Sequence, residues 1–158
     1  IMSFDKAKKY LEEKGYADHI IELADSSATV QLAAQALGVE PGMIAKTLSF
    51  LIGNQPILIV AEGMARIDNH KYKDTFHVKA KMIPFDDVEA YIGHAPGGVC
   101  PFGIKEGIAV YLDESIKKYD TVYPAAGNDH SAVKLTIAEL EAVAGMEGWV
   151  DVCKDEPA

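Results

Sequence analysis

Residues 43–61 read MIAKTLSFLIGNQPILIVA, two largely apolar runs, Met43 to Ile52 and Pro56 to Ala61, flanking Gly53-Asn54-Gln55. Strand-length apolar runs separated by a few turn residues are the sequence mark of a β-hairpin. No other stretch of the chain carries so clear a signal, so the hairpin is the natural starting point.

On its N-terminal side, Val30 to Leu37 predicts a small helix stopped by Gly38, with Ala33, Ala34 and Leu37 facing inward. His19 to Leu23 is short, β-branched and strand-like. Phe4, Ala7, Lys8 and Leu11 follow helical spacing, with Ser3 as N-cap and Gly15 as the stop. On the C-terminal side, Asp68 can cap a helix running toward Asp74, and Val78 to Met82 reads as a weak strand. Phe85 to Tyr91 fits a short helix with Val88 and Ile92 inward. A long Gly- and Pro-rich loop, His94 to Gly103, precedes an apolar strand over Ile108 to Leu112 and helical turns over Asp113 to Lys118. Thr121 to Pro124 and Val133 to Leu135 predict strands around Gly127-Asn128-Asp129. Thr136 and Glu139 form a capping box ahead of Leu140, Val143 and Ala144, and Trp149 to Val152 reads as a closing strand. Strands outnumber helices, and hairpin-like links mix with helical insertions. That predicts a mixed α/β or α+β domain rather than a regular βαβ series.

The 158 residues suit one domain over 1–158, with a flexible tail over 154–158 and Ile1, ahead of Met2, as a remnant foreign to the natural chain. The net charge is −9 and the pI about 4.9. Such acidity disfavours DNA binding and general coating of nucleic acid, while a local basic contact with RNA stays open. Cys100 and Cys153 support neither a disulfide framework nor paired zinc spacing, and they point to the reduced cytoplasm. The apolar run Ile57 to Ala61 is far too short for a membrane span. The N-terminal segment is charged and amphipathic where a signal peptide would be apolar. The histidines show no metal-ligand spacing, so neither metal nor cofactor is expected.

Four segments carry candidate chemistry. In Gly97-Gly98-Val99-Cys100-Pro101-Phe102-Gly103, glycines strip side chains from a rigid backbone, so main-chain N–H and C=O groups can approach a ligand or polarise an ester carbonyl. A structural crossover loop is the plainer reading. It is not a phosphate loop, because Ile104 stands where the lysine belongs. Lys46 shares one face of its strand with Ile44 and Leu48, so it either snorkels at a water-facing strand edge or is poised in a cleft. Gly127-Asn128-Asp129-His130-Ser131 is a polar turn that either lines a pocket or lies on the surface. Cys100 with His94 is a weak nucleophile pair on spacing alone, and no Gly-x-Ser-x-Gly elbow is present. Arg66 and the lysines at 71, 73, 79 and 81 form a basic strip in an acidic chain. The strip is either a solvated face or a phosphate contact for a tRNA acceptor end, with Tyr72 or Phe76 for base stacking.

Taken together, Val39 to Phe50 with Lys46 inside, Ile67-Asp68 to Lys71, the Ala95–Gly103 loop, and Ala126-Gly127 ahead of Leu135-Thr136 resemble the YbaK/EbsC family of prolyl-tRNA editing and aminoacyl-tRNA deacylase domains. The resemblance runs from Phe4 to Val152. It implies a YbaK-like fold: a curved mixed β-sheet, barrel-like at its core, with surrounding helices. It also implies a cytoplasmic trans-editing hydrolase that deacylates mischarged aminoacyl-tRNA, with tRNA(Pro) carrying alanine, cysteine or a similar small amino acid as the expected substrate. By that resemblance Lys46, Gly97, Gly98 and Pro101 hold the aminoacyl ester. Thr47, Val99, Cys100, Gly103, Gly127, Asn128, His130 and Ser131 surround the substrate, and Arg66, Lys71 and Lys73 meet the tRNA. Attack is assisted by the substrate's own ribose hydroxyl or made by an ordered water. The implied partners are the aminoacyl-tRNA acceptor end and a prolyl-tRNA synthetase, with the protein itself a monomer or weak homodimer. One branch of the family has Ser-Ala-Gly where this chain has Ala125-Ala126-Gly127, a departure that puts the cysteine-directed activity in doubt. Ile44, Leu48 and Val99 are candidates for a sieve that excludes proline. The competing expectation is a non-catalytic module that binds an amino acid or a tRNA end through the same pocket.

Overall fold

In chain order the elements are α1 (Ser3–Glu13), β1 (Ile20–Glu22), α2 (Val30–Leu37), β2 (Ala45–Ile52), β3 (Gln55–Glu62), α3 (Asn69–Phe76), α4 (Val88–Ile92), β4 (Ala109–Asp113), β5 (Thr121–Val122), β6 (Ser131–Val133), β7 (Leu135–Thr136), α5 (Ile137–Val143) and β8 (Gly148–Val150). The computed structural model describes residues 3–155. The expectations for Ile1 and for residues 156–158 therefore fall outside the described residues.

The hairpin forms as the sequence predicts, with Ile52 opposite Gln55 and Ala45 opposite Glu62. It opens a four-stranded sheet of order β2-β3-β4-β8, antiparallel between β2 and β3 and parallel from β3 onward. Alternation along β2 sends Ala45 and Leu51 into the main core with Leu58, Val60 and Leu112. It sends Leu48, Phe50 and Ile52 to the opposite face, where Tyr72 of α3 covers them. Both faces of β3 are therefore buried, which is why it reads as an unbroken apolar run. Helices α1 and α5 seal the main core through Ala7, Leu11, Leu140 and Val143. Helix α2 lays Ala33 and Ala34 on a smaller cluster with Ile44, Tyr123 and Ala132.

Local signals in the sequence set several boundaries. The Thr29 hydroxyl caps α2, and Gly38 ends it at φ 70°. Asp68 accepts from the N–H groups of His70 and Lys71 to start α3. Thr136 and Glu139 form the reciprocal capping box of α5. Helix α1 starts at Ser3, whose hydroxyl donates to the Gly93 carbonyl.

Three expectations need correction. Among the described residues the sheets do not close into a barrel; β2 and β8 remain at opposite edges of an open mixed sheet. Val78 to Met82 is not a strand, and only Met82 bridges Phe50. Val78, Lys79 and Lys81 are exposed, so pairing there would bury little, and contact with β2 begins only where the Lys81 carbonyl accepts from Leu51, just before Ile83 enters the core. Val133 to Leu135 is not one strand, because the chain changes partner at Lys134: β6 pairs with β1 and β7 with β5. The Lys154 N–H donates to the Arg66 carbonyl at 2.8 Å, and Asp155 meets the Lys71 ammonium at 2.7 Å.

Candidate functional site

The free edge of β2, the N-terminus of α2, the loop at 96–99 and the segment from Met82 to Val88 enclose a cleft of about 420 Å³. Lys46, Thr47, Gly97, Val99 and Ser131 line it, as do the proposed sieve residues Ile44, Leu48 and Val99. A lysine and a glycine loop far apart in sequence thus share one cavity. Among the described residues the walls hold no Asp, Glu, His or Cys. A larger hollow of about 770 Å³ lies beside Arg66, Asp113 and Cys153, but its buried carboxylates are already satisfied. Asp113 accepts from the N–H groups of Ser115 and Val152, and Glu62 from that of Met64. The smaller cleft is the one with unused polar groups.

Lys46 is half-buried. Its ammonium donates to the carbonyls of Gly63, at 3.1 Å, and Ala65. Two of three donors are committed, so one N–H remains for a ligand. Burial pushes its pKa below the ordinary lysine value, and the acidic groups of Cys153 and Glu62 partly oppose that. The snorkelling alternative is therefore not what the structure shows: the ammonium is fastened to the turn after β3.

The glycine loop divides. Gly97 and Val99 face the cleft. Gly98 turns away: its N–H closes onto the Ala95 carbonyl at 3.0 Å, and it lines a different groove with Gly127, Asn128 and His130. A Cβ at Gly98 would sit 2.6 Å from the Asn128 nitrogen, and a Cβ at Gly127, whose φ is 95°, would sit 2.5 Å from the Ser3 carbonyl oxygen. Glycine at these two positions lets loop, polar turn and α1 touch backbone to backbone. Pro101 and Cys100 are buried beneath the loop and Gly103 packs on α1, so none of the three lines the cleft.

Cys100 is fully buried, and burial raises its thiol to about 12, which leaves no thiolate near neutrality. His94, also fully buried, donates from Nε2 to the Phe102 carbonyl at 2.6 Å, and its Nδ1 has no partner. Burial holds its pKa below 6.5, so the ring is neutral and serves as a brace for the loop.

In the polar turn, Asn128 Oδ1 accepts from the His130 N–H and from the Ser131 hydroxyl at 2.6 Å. That bond ties Ser131, at the cleft wall, to a turn that otherwise faces the neighbouring groove. In the basic strip, Lys71 spends its ammonium on Asp151, Asp155 and the Cys153 carbonyl, whereas Arg66 and Lys73 stay exposed. Tyr72 is fully buried and Phe76 packs on it at 4.8 Å, so neither offers a stacking face. The exposed ring is Phe85, 74 % accessible, on the cleft rim beside Met82. Sequence reasoning missed it because it took Phe85 to open a helix. The structure makes it a 3₁₀ turn between the buried anchors Ile83 and Val88.

Sequence reasoning also missed Ser27. Its buried hydroxyl and that of Thr47 both line the cleft and have no hydrogen-bond partner among the described residues. A serine in Asp25-Ser26-Ser27-Ala28-Thr29 reads as loop or cap, and no local signal marks it as inward-facing. Among the described residues no cluster of His, Cys, Asp and Glu could hold a metal ion, and no helix is long and apolar enough to cross a membrane.

The family model for the aminoacyl-tRNA editing domain matches residues 24–143. The chain belongs to that family. The editing domain is 44% identical over 155 residues to YwhH of Bacillus subtilis, an uncharacterized protein, covering 98% of this chain and 99% of the relative. It is 29% identical over 123 residues to the proposed Cys-tRNA(Pro)/Cys-tRNA(Cys) deacylase EbsC of Enterococcus faecalis, covering 76% of this chain and 74% of that protein. A solved structure of a proposed trans-editing enzyme for prolyl-tRNA synthetase matches it with a TM-score of 0.86 at 30% identity, over 97% of this chain and 98% of the other. The editing domain thus has the YbaK-like mixed α+β fold that the sequence resemblance implied.

Proposed function

We propose that this editing domain is a free-standing deacylase that hydrolyses tRNA(Pro) mischarged with a small amino acid, alanine foremost. The observation that carries the reading is the cleft itself. It pairs one lysine and a main-chain loop with a wall free, among the described residues, of carboxylate, imidazole and thiol. Such a site suits a substrate that is already activated and brings its own hydroxyl. An aminoacyl ester fits both conditions. Water, assisted by the adjacent ribose hydroxyl, attacks the carbonyl carbon. The bond to the ribose oxygen breaks, and that oxygen takes up a proton, leaving free amino acid and an intact tRNA 3′ end. Orientation and charge stabilisation by Lys46 and by main-chain groups at Gly97 and Val99 are what such a reaction requires.

Ile44, Leu48 and Val99 narrow the cleft, which favours a small acyl group over proline. Ala125 also lines it, where a related branch has serine, and it supplies an apolar wall suited to alanine. The terminal adenine stacks on Phe85 at the rim, and Arg66 and Lys73 are the exposed charges of the basic strip available to phosphate. A prolyl-tRNA synthetase is the partner that would generate the mischarged substrate.

The test is a deacylation panel of alanyl-, cysteinyl-, seryl- and 2-aminobutyryl-tRNA(Pro). Alanyl-tRNA(Pro) is expected to turn over fastest, and Lys46→Ala to lower its kcat/KM by about 100-fold, the scale of one lost electrostatic donor. Release unaffected by Lys46→Ala would remove the role given to that residue. The same cleft would also suit an amino-acid sensor, and tight binding with no turnover on any charged tRNA would favour that reading.

A further inference from the structure

The hydrogen-bond parity of β2 exposes a feature that the site residues alone do not. Leu51 donates its N–H away from β3 to the Lys81 carbonyl, Ser49 accepts from the Ile83 N–H, and Ala45 donates to the Tyr123 carbonyl. Odd-numbered residues of β2 therefore direct their main-chain groups toward the free edge, and the even-numbered ones pair with β3. Thr47 is odd. Its N–H and C=O face outward, the flanking outward residues are each bonded through one group (the Ala45 N–H and the Ser49 C=O), and among the described residues no hydrogen bond reaches either Thr47 group. The Thr47 hydroxyl is buried and equally without a partner, as is that of Ser27 across the cleft. The uncapped edge from Ala45 to Ser49 is about 13 Å long, at roughly 3.3 Å per residue. That is room for one residue of β-pairing and little more. Main-chain groups without protein partners must be met by water or a ligand, and Thr47 offers a donor and an acceptor together at the wall of the cleft.

We propose that the aminoacyl group docks on Thr47 as a one-residue β-strand. An α-amino ester carries an N–H donor and a carbonyl acceptor on either side of a single carbon, as a peptide residue does. In an antiparallel hydrogen-bonded pair, two residues exchange both bonds. The substrate's amine donates to the Thr47 carbonyl, and its ester carbonyl accepts from the Thr47 N–H. The second bond polarises the carbon to be attacked and sets it opposite Gly97 and Val99. Met82 and Ile83 above and Tyr123 below cap the edge, so a longer peptide cannot extend the pairing. The site therefore selects a single aminoacyl unit bearing a free amine. This mode of recognition rests on the deacylase reading for the identity of the ligand, but its physical test does not need turnover.

The probe is L-alanine methyl ester titrated into the uniformly ¹⁵N-labelled full chain, with methyl propionate, which lacks the amine, as its partner. The Thr47 amide proton is expected to move downfield with the alanine ester and to stay in place with the propionate. In deacylation, the acceleration over the uncatalysed rate is expected to be at least tenfold greater for alanyl-tRNA than for propionyl-tRNA. Thr47→Pro removes the outward N–H at an edge position where proline is compatible with a strand. That variant should keep its far-ultraviolet circular dichroism, and its neighbour Leu48 should no longer respond to the ester. A Thr47 amide indifferent to the alanine ester, or equal acceleration of alanyl- and propionyl-tRNA, overturns the pairing. A Thr47 response with no hydrolysis of any aminoacyl-tRNA supports the pairing and removes the deacylase reading instead.

Discussion

The ammonium of Lys46 works with what its surroundings leave it. Two of its donors hold the Gly63 and Ala65 carbonyls, so it positions the turn after β3 and keeps a single N–H uncommitted. Because burial lowers its pKa, the protonated form is lost at lower pH than for a free lysine, whose value is 10.5. Activity that needs this proton should fall as pH rises through the lowered pKa. The alkaline limb of kcat/KM, after subtraction of uncatalysed ester hydrolysis, is expected to lie below 10.5 and to be absent in Lys46→Met. His94 gives the opposite limb, in stability. The folded state keeps this imidazole neutral below its ordinary value of 6.5, while the unfolded chain takes up the proton. Folding therefore loses stability as pH drops below about 6.5 and approaches the folded-state pKa. His94→Gln, which can still donate to the Phe102 carbonyl, should show a shallower fall of Tm between pH 7 and 5 than the wild type. Equal slopes would show that other groups set the acid limb. Lysine within an apolar strand was legible in the sequence as an anomaly. Its two carbonyl partners were not, because Gly63 and Ala65 reach it only through the fold of the hairpin.

Among the elements, the hairpin, the three capped helices and the glycine loop were legible because each is governed by local chemistry. Thr29, Asp68 and Thr136 satisfy free N–H groups within a turn of themselves, whatever lies beyond. The strand expected over Val78 to Met82 failed because strand formation depends on a partner and a face to bury, and neither is encoded locally. The division of the loop, Gly97 toward the cleft and Gly98 toward the polar turn, was likewise invisible in a run of glycines. It is set by the 2.6 Å approach that a Cβ at Gly98 would make to Asn128. Gly98→Ala must push these two backbones apart, and it is expected to cost about 1–3 kcal/mol, as overpacking typically does. Activity should fall with it, since the shift moves Gly97 and Val99. A thermal unfolding curve and a deacylation rate for the one variant check both, and a variant with unchanged Tm would mean that the junction is looser than its geometry.

The net charge of −9 belongs to the whole molecule and sets how it meets a polyanion. Lys71 is spent on Asp151, Asp155 and the Cys153 carbonyl, where it clamps the C-terminal segment onto α3. With Arg66 and Lys73 as the phosphate contacts of the proposal, about two ions are displaced on binding, a slope of about −1.4 in log affinity against log salt. Between 50 and 200 mM salt, kcat/KM for the proposed substrate should fall by less than about tenfold. A loss of about a thousandfold would point to a far larger basic contact than the surface provides. Recognition then rests mainly on the cleft and the ring of Phe85 at its rim, which suits a protein that touches only the end of its RNA.

Sequence alone determined the mixed α+β class, the hairpin at its centre, the caps of α3 and α5 and the family, because periodicity, turn residues and motif spacing act over a few residues and survive any tertiary arrangement. Only the folded chain decided which side of each loop residue faces the cleft, that Tyr72 is buried and Phe85 exposed, and that Thr47 presents an unpaired edge. Those outcomes depend on strand parity and on contacts between segments as much as 100 residues apart, and no local pattern records either.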